Sequence, residues 1–255
     1  MIPAVPVRRT ADAWLKRYRP VRAPRLRLIC FPHAGGSAGV FRRWTETLPP
    51  DVELVAVQYP GRQERFDEPC VDDMTSLADR ITDVVTSVLD RPVALFGHSM
   101  GAAVAYEVTR RLEARHLARP AHLFVSGSVS PLEPRRRRDL HLRDDEGMLE
   151  GLTELGGMDD AVLADPDLLR LVLPCVRADL RLVETYRPVR LPPVATPVTA
   201  YAGAADAHVP REGAAAWSDL TSAEFNLRIF PGGHFYLMGQ EPEVVGDVRA
   251  RLALR

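Results

Sequence analysis

The sequence predicts an α/β protein, an open, doubly wound and mostly parallel sheet with helices on both faces. Three observations carry this. Short apolar runs rich in β-branched residues recur along the chain. Several are apolar at nearly every position, as strands covered on both faces are. Segments of helical period lie between them, the alternation that a parallel sheet with crossover helices requires.

The elements follow in order. The first 20 residues alternate short apolar pieces with Arg8, Arg9, Lys16, Arg17 and Arg19. That pattern has no continuous apolar core and is not a secretion signal. Strands are expected over 26–31, 52–58, 93–96, 122–126, 197–202 and 226–230. Met74, Leu77, Ile81, Val84, Val85 and Val88 fall on one stripe of a helix over 73–90. A second helix covers 102–115, and a last one covers 243–254 with Val244, Val245, Val248 and Leu252 inward. Between about 131 and 186 there is no strand pattern, only helical pieces separated by Gly156-Gly157 and by Pro166. A simple crossover needs far less sequence than this. The expected organisation is therefore a core of 1–130 and 187–255 with a helical insertion, 131–186, over one edge of the sheet. Leu168, Leu169, Val172, Cys175, Val176, Leu180 and Val183 form that insertion's apolar stripe, which is able to face either a pocket or the sheet.

Composition narrows the function classes. Of 255 residues, 46% are hydrophobic and 26% charged, the balance of a globular chain. Basic residues number 33 and acidic residues 34, so no basic excess is present to hold a nucleic acid. Lys16 is the only lysine. No uncharged apolar run reaches the 18 residues that a membrane span needs. Cys30, Cys70 and Cys175 are an odd count without a CxxC, and they read as reduced structural thiols in a cytoplasm.

The strongest local signal is Gly97-His98-Ser99-Met100-Gly101, a G-x-S-x-G between a strand and a helix. That context is the nucleophile elbow of α/β-hydrolases. Its glycines permit a sharp turn, and Ser99 stands at the tip beside a helix N-terminus. A serine hydroxyl needs a base, and the chain order Ser, acid, His directs the search downstream. Of His116, His122, His141, His208 and His234, only His234 sits in a glycine-rich loop directly after the last strand. His116 and His122 flank element ends and read as surface residues. His208 follows an earlier strand. The acid is Asp206, the only carboxylate between strand 197–202 and the helix near Arg211. Asp179 and Asp219 are the runners-up, each explained by a solvated charge on a helix. Two backbone amides are needed for an oxyanion hole. Met100 supplies one, and Ala34, in the loop Pro32-His33-Ala34-Gly35-Gly36-Ser37, supplies the other. A phosphate-loop reading of Gly35, Gly36 and Gly39 fails because no Gly-Lys-Ser/Thr follows. No HExxH or Cys/His cluster suggests a metal site, and no cofactor is expected.

Taken together, FPHAGGS at Phe31–Ser37, Tyr59-Pro60-Gly61-Arg62 with Arg65, GHSMG, Gly203-Ala204-Ala205-Asp206 and GGHF at Gly232–Phe235 occur in one order. In this the chain resembles the type II, stand-alone thioesterases that accompany polyketide and nonribosomal peptide synthases, over about residues 12–250. The resemblance implies an α/β-hydrolase fold with a lid at 131–186 and a Ser99, Asp206, His234 triad with Ala34 and Met100 as oxyanion donors. It implies hydrolysis of aberrant or stalled acyl groups from the phosphopantetheine arms of carrier proteins, through an acyl-enzyme. The acid loop reads Gly-Ala-Ala-Asp where many relatives have Gly-Asp-x-Asp, but the matching acid is present. The implied partners are acyl or peptidyl carrier domains, met transiently by a cytoplasmic monomer, with neither nucleic acid nor membrane involved.

Arg62 and Arg65 either order structure, the more expected role, or touch substrate. Arg135 to Arg138 form either a solvated face or a docking point for an acidic carrier domain. Gly156-Gly157 is a candidate lid hinge. The rival enzymes are a generic carboxylesterase and a chain-releasing thioesterase of the same fold. The absence of carrier or synthase segments points to the stand-alone role. A non-catalytic binding module is disfavoured by the complete triad.

Overall fold

The computed structural model describes residues 7–116, 118–133, 139–156, 164–189 and 191–253. Among them are the strands β1 (Leu15–Lys16), β2 (Leu26–Phe31), β3 (Val52–Val57), β4 (Val93–His98), β5 (Leu123–Ser126), β6 (Val198–Gly203) and β7 (Phe225–Phe230). These form one sheet in the order β1-β3-β2-β4-β5-β6-β7, with β1 antiparallel to β3 and every other pairing parallel. The six expected strands are present to within two residues at either end. β1 is an addition: two residues carry no period to read.

Among the described residues the α-helices are α1 (Val7–Trp14), α2 (Trp44–Thr47), α3 (Met74–Val85), α4 (Met100–His116), α5 (Asp145–Leu155), α6 (Pro166–Thr185), α7 (Arg211–Ala215), α8 (Tyr236–Gly239) and α9 (Glu241–Arg251). They cover both faces of the sheet, which is why β2, β3, β4 and β6 are buried at every position. Alternate residues of β2 serve the two faces. Ile29 and Phe31 pack with α3 and α4, whereas Leu28 and Cys30 pack with α2 and α9. Among the described residues no helix is long and apolar enough to cross a membrane.

α5 and α6 occupy the stretch between β5 and β6. Pro166 stands at the boundary between the described helices α5 and α6. It is the first residue of α6, where its missing N–H costs no bond, and Asp165 caps that end by accepting from the Asp167 and Leu168 amides. The apolar stripe of α6 divides between three surroundings. Leu173, Val176 and Leu180 meet Leu140, Met148 and Leu152 in a small separate core. Leu182 is buried in the main core, and Leu168 and Leu171 are exposed. Gly156 ends α5 in the left-handed region, φ +70°. Gly157 and the run Arg135 to Arg138 lie outside the described residues.

Candidate active site

The site lies at the carboxyl ends of β2, β4, β6 and β7, where an open parallel sheet offers a crevice. Ser99 links β4 to α4 with a left-handed backbone, φ +54°, which is costly for a residue with a side chain. The turn is held by its amide, which donates to Ser126 O at 2.8 Å, and by its carbonyl, which accepts from Ala102 N at 3.1 Å. The glycines on either side are steric necessities. A Cβ on Gly97 would stand 2.1 Å from Gly101 O, and one on Gly101 would stand 2.0 Å from Phe31 O. The elbow therefore presses directly against the end of β2 and the loop that follows.

His234 Nε2 lies 3.0 Å from Ser99 Oγ, and His234 Nδ1 lies 2.7 Å from Asp206 Oδ2. The two loops that carry His234 and Asp206 are bonded to each other. Ala204 N donates to Phe230 O and Ala205 N to Gly232 O, both at 2.8 Å. Asp206 Oδ1 also accepts from His208 N at 2.9 Å. Burial on its own would raise the Asp206 carboxyl, but its hydrogen bond from His234, the His234 charge and the His208 amide reverse this and hold it below the ordinary value. An ionised Asp206 requires the proton on Nδ1, which leaves Nε2 to accept from the Ser99 hydroxyl. Such a chain is able to deprotonate a serine as it attacks a carbonyl carbon. His208 itself is exposed, as are His116 and Asp219.

In the loop after β2, Gly36 N donates to His33 O at 2.9 Å and Gly35 N donates to Asp179 Oδ2 at 2.7 Å. The amides of Ala34 and Met100 have no protein acceptor among the described residues. These are the two positions the sequence assigns to an oxyanion hole. Beside His234 an open cleft of about 370 Å³ runs between Pro231–Gln240 and the end of α5 at Leu155 and Gly156.

The structure corrects two readings of charged residues. Asp179 is not a solvated charge: it is 2% exposed, and both of its oxygens bind the Arg62 guanidinium, at 2.7 and 2.9 Å. Its partner is 117 residues away, so no local pattern shows it. Arg62 also donates to Gly36 O, so the pair ties α6 to the loop that holds Ala34. Arg65 is likewise structural, donating to Gln58 O at 2.8 Å and stacking on Trp14 at 3.9 Å. His122 is not a surface residue. It is buried, stacks on Phe124 and meets Thr199 Oγ1 at 2.8 Å, because β5 lies between β4 and β6.

Residues inside the motifs that sequence reasoning passed over complete the site. Phe235 presents its ring edgewise to His33, His98 and His234, with centroids 4.9, 5.5 and 5.1 Å away. His98 Nδ1 bonds Ser126 Oγ at 2.9 Å, which in turn bonds the Tyr236 hydroxyl at 2.6 Å. Burial, then repulsion from His234, pushes His33 down to about 4 and His98 well below its ordinary value. Both imidazoles thus stay neutral beside a histidine that must take up charge. Their presence within FPHAGGS and GHSMG was the available signal.

A family model described as a thioesterase domain matches residues 26–252. A probable cadicidin biosynthesis thioesterase from Streptomyces griseus is 44% identical over 231 residues, covering 89% of this chain, and the chain spans 63% of that relative's length. The thioesterase PikA5 from Streptomyces venezuelae is 42% identical over 97% of this chain and 88% of its own. Among solved structures, the type II thioesterase BorB from the borrelidin biosynthetic cluster superposes with a TM-score of 0.88 at 39% identity, covering 94% of this chain and 98% of that one.

Proposed function

The chain belongs to the thioesterase family of the α/β-hydrolase fold, and on that premise we propose that it is a type II thioesterase of a polyketide or nonribosomal peptide system. Its work in this reading is to clear stalled or aberrant acyl groups from carrier-protein phosphopantetheine. The observation that carries the reading is the hydrogen-bonded chain Ser99–His234–Asp206 at the tip of the elbow, whose His234 also lines an open cleft. Relatives described as type II thioesterases of such clusters support the substrate class.

The steps follow from the geometry. Ser99 Oγ attacks the thioester carbonyl carbon while His234 Nε2 takes its proton, and Asp206 stabilises the imidazolium through Nδ1. The Ala34 and Met100 amides receive the oxyanion, already oriented by the elbow and by the Arg62–Asp179 clamp. The C–S bond breaks, His234 returns the proton to the leaving thiol, and an acyl-Ser99 remains. His234 then activates water, which releases the free acid. Protein groups alone supply this chemistry. The partners in this reading are carrier domains bound transiently by a monomer, in the cytoplasm where carrier-bound thioesters are made.

The test is hydrolysis of acetyl-, propionyl- and longer acyl-carrier proteins beside a p-nitrophenyl ester of matching chain, with wild type and Ser99→Ala in parallel. The reading expects a higher kcat/KM for the carrier thioesters and no turnover of either substrate by the variant. Cleavage of the ester alone would leave a carboxylesterase. Strong preference for a full-length product chain over short acyl groups would mean chain release instead of editing.

A further inference from the structure

Cys70 and Cys175 are 105 positions apart in the chain and adjacent in space. Cys70 lies in the loop between β3 and α3, on the core. Cys175 lies on α6, directly after Pro174, the one proline inside that helix. Both side chains meet at Gly61 and wall the same cleft. Gly61 explains how they come so close. With φ +82° it carries no side chain, and a Cβ placed there would stand 2.2 Å from Cys70 Sγ and 3.4 Å from Cys175 Sγ. The space that any other residue would fill is therefore shared by two sulfurs.

The surroundings suit chemistry at this pair. An open cleft of about 260 Å³ is walled by both cysteines together with Gly61, Phe66, Leu171 and Pro174, so small molecules reach Cys70 from solvent. Cys70 is partly exposed and Cys175 is buried, its thiol also meeting Pro60 O at 4.0 Å. Burial pushes the Cys175 thiol up, which makes Cys70 the one to meet an oxidant first. Cys30 is fully buried in β2, away from the pair, and is a built-in reference thiol.

We propose that Cys70 and Cys175 form an oxidisable dithiol that, on reaction with a peroxide, closes into a disulfide fastening α6 to the core. The Cys70 sulfur attacks the peroxide O–O bond, giving Cys70–SOH and releasing water or an alcohol. The Cys175 sulfur then displaces hydroxide from the sulfenic acid, forming the S–S bond and a water molecule. Two thiols lose two electrons and two protons, and the peroxide is reduced by the same two electrons. The link sits one helical turn from Asp179, so it reinforces the side of α6 that already holds Arg62 and Gly35. Beyond Pro174, the outer turns of the helix remain unlinked.

The test treats the reduced full-length protein with hydrogen peroxide. It counts free thiols, maps linked peptides by mass spectrometry and follows amide exchange along α6. Free thiols are expected to fall from three to one, with a single intramolecular Cys70–Cys175 peptide that dithiothreitol reverses. Amides after Pro174 should exchange more slowly, and the melting temperature should rise on the order of 5–10 °C. Cys70→Ser and Cys175→Ala should each abolish the link and the rise while keeping ester hydrolysis, which shows that they fold. Over-oxidation of Cys70 alone, a link between two molecules, or an unchanged thiol count would each overturn the proposal. Because the readout is covalent, it holds or fails independently of which acyl substrate the enzyme takes.

Discussion

Phe235 touches three imidazoles at once, and only one of them, His234, bonds Ser99. Its ring and that of His98 pack against His234, at 5.1 and 5.3 Å between centroids, and hold the imidazole towards Oγ beside an open cleft. Phe235→Ala is expected to lower kcat by up to roughly 10²-fold with little change in KM, the signature of a base displaced by a fraction of an ångström. Steady-state kinetics on one acyl-carrier substrate separate the two parameters. Asp206 acts on the same ring through a bond. Asp206→Asn would present an amide to Nδ1 and favour the wrong tautomer, so a loss on the order of 10⁴-fold in kcat is expected if other triads are a guide. Circular dichroism on the same variant should stay native, which ties the loss to the proton and not to the fold.

At the scale of elements, a buried ion pair ties α6 to Arg62 and the loop after β2. Removing one partner leaves the other charge in a dry site, and Asp179→Ala is expected to destabilise by about 3–5 kcal/mol in a denaturant titration. The same change frees the Gly35 amide and with it the loop that positions Ala34, so kcat should fall even where the variant remains folded. This contact also marks the limit of what is legible in the chain. Strands buried on both faces announce themselves by composition. The elbow, the acid loop and the histidine loop are each local, so Ser99, Asp206 and His234 are all readable from the order of residues alone. Asp179 is not, because a carboxylate on an amphipathic helix looks solvated until Arg62 arrives from another part of the fold. The same reason hides His122 in the sheet and the meeting of Cys70 with Cys175.

For the whole molecule, His122 sets a pH dependence that is separate from the site. Burial first, and the Arg251 charge second, hold its imidazole down to about 4. The unfolded chain binds that proton near 6.5, so between 6.5 and 4 it holds more protons than the folded chain. Stability contributed by the neutral ring is whole above pH 6.5 and is lost progressively as pH falls towards 4, by on the order of 3 kcal/mol. His122→Gln keeps a partner for Thr199 without titrating and should make the fall of the melting temperature over that window shallower, leaving the share of His33 and His98, whose imidazoles are held down too. A wild-type slope unchanged by the substitution would assign the acid sensitivity elsewhere. The placement of α5 and α6 between β5 and β6 has a different kind of consequence, for inheritance. A segment spliced between two neighbouring strands is free to be exchanged, lengthened or redrawn while the strands around it go on pairing as before. Here that freedom is conditional. A grafted segment that lacks a carboxylate where Asp179 stands would strand Arg62 without its counter-charge, so lineages that trade this segment must trade the arginine with it.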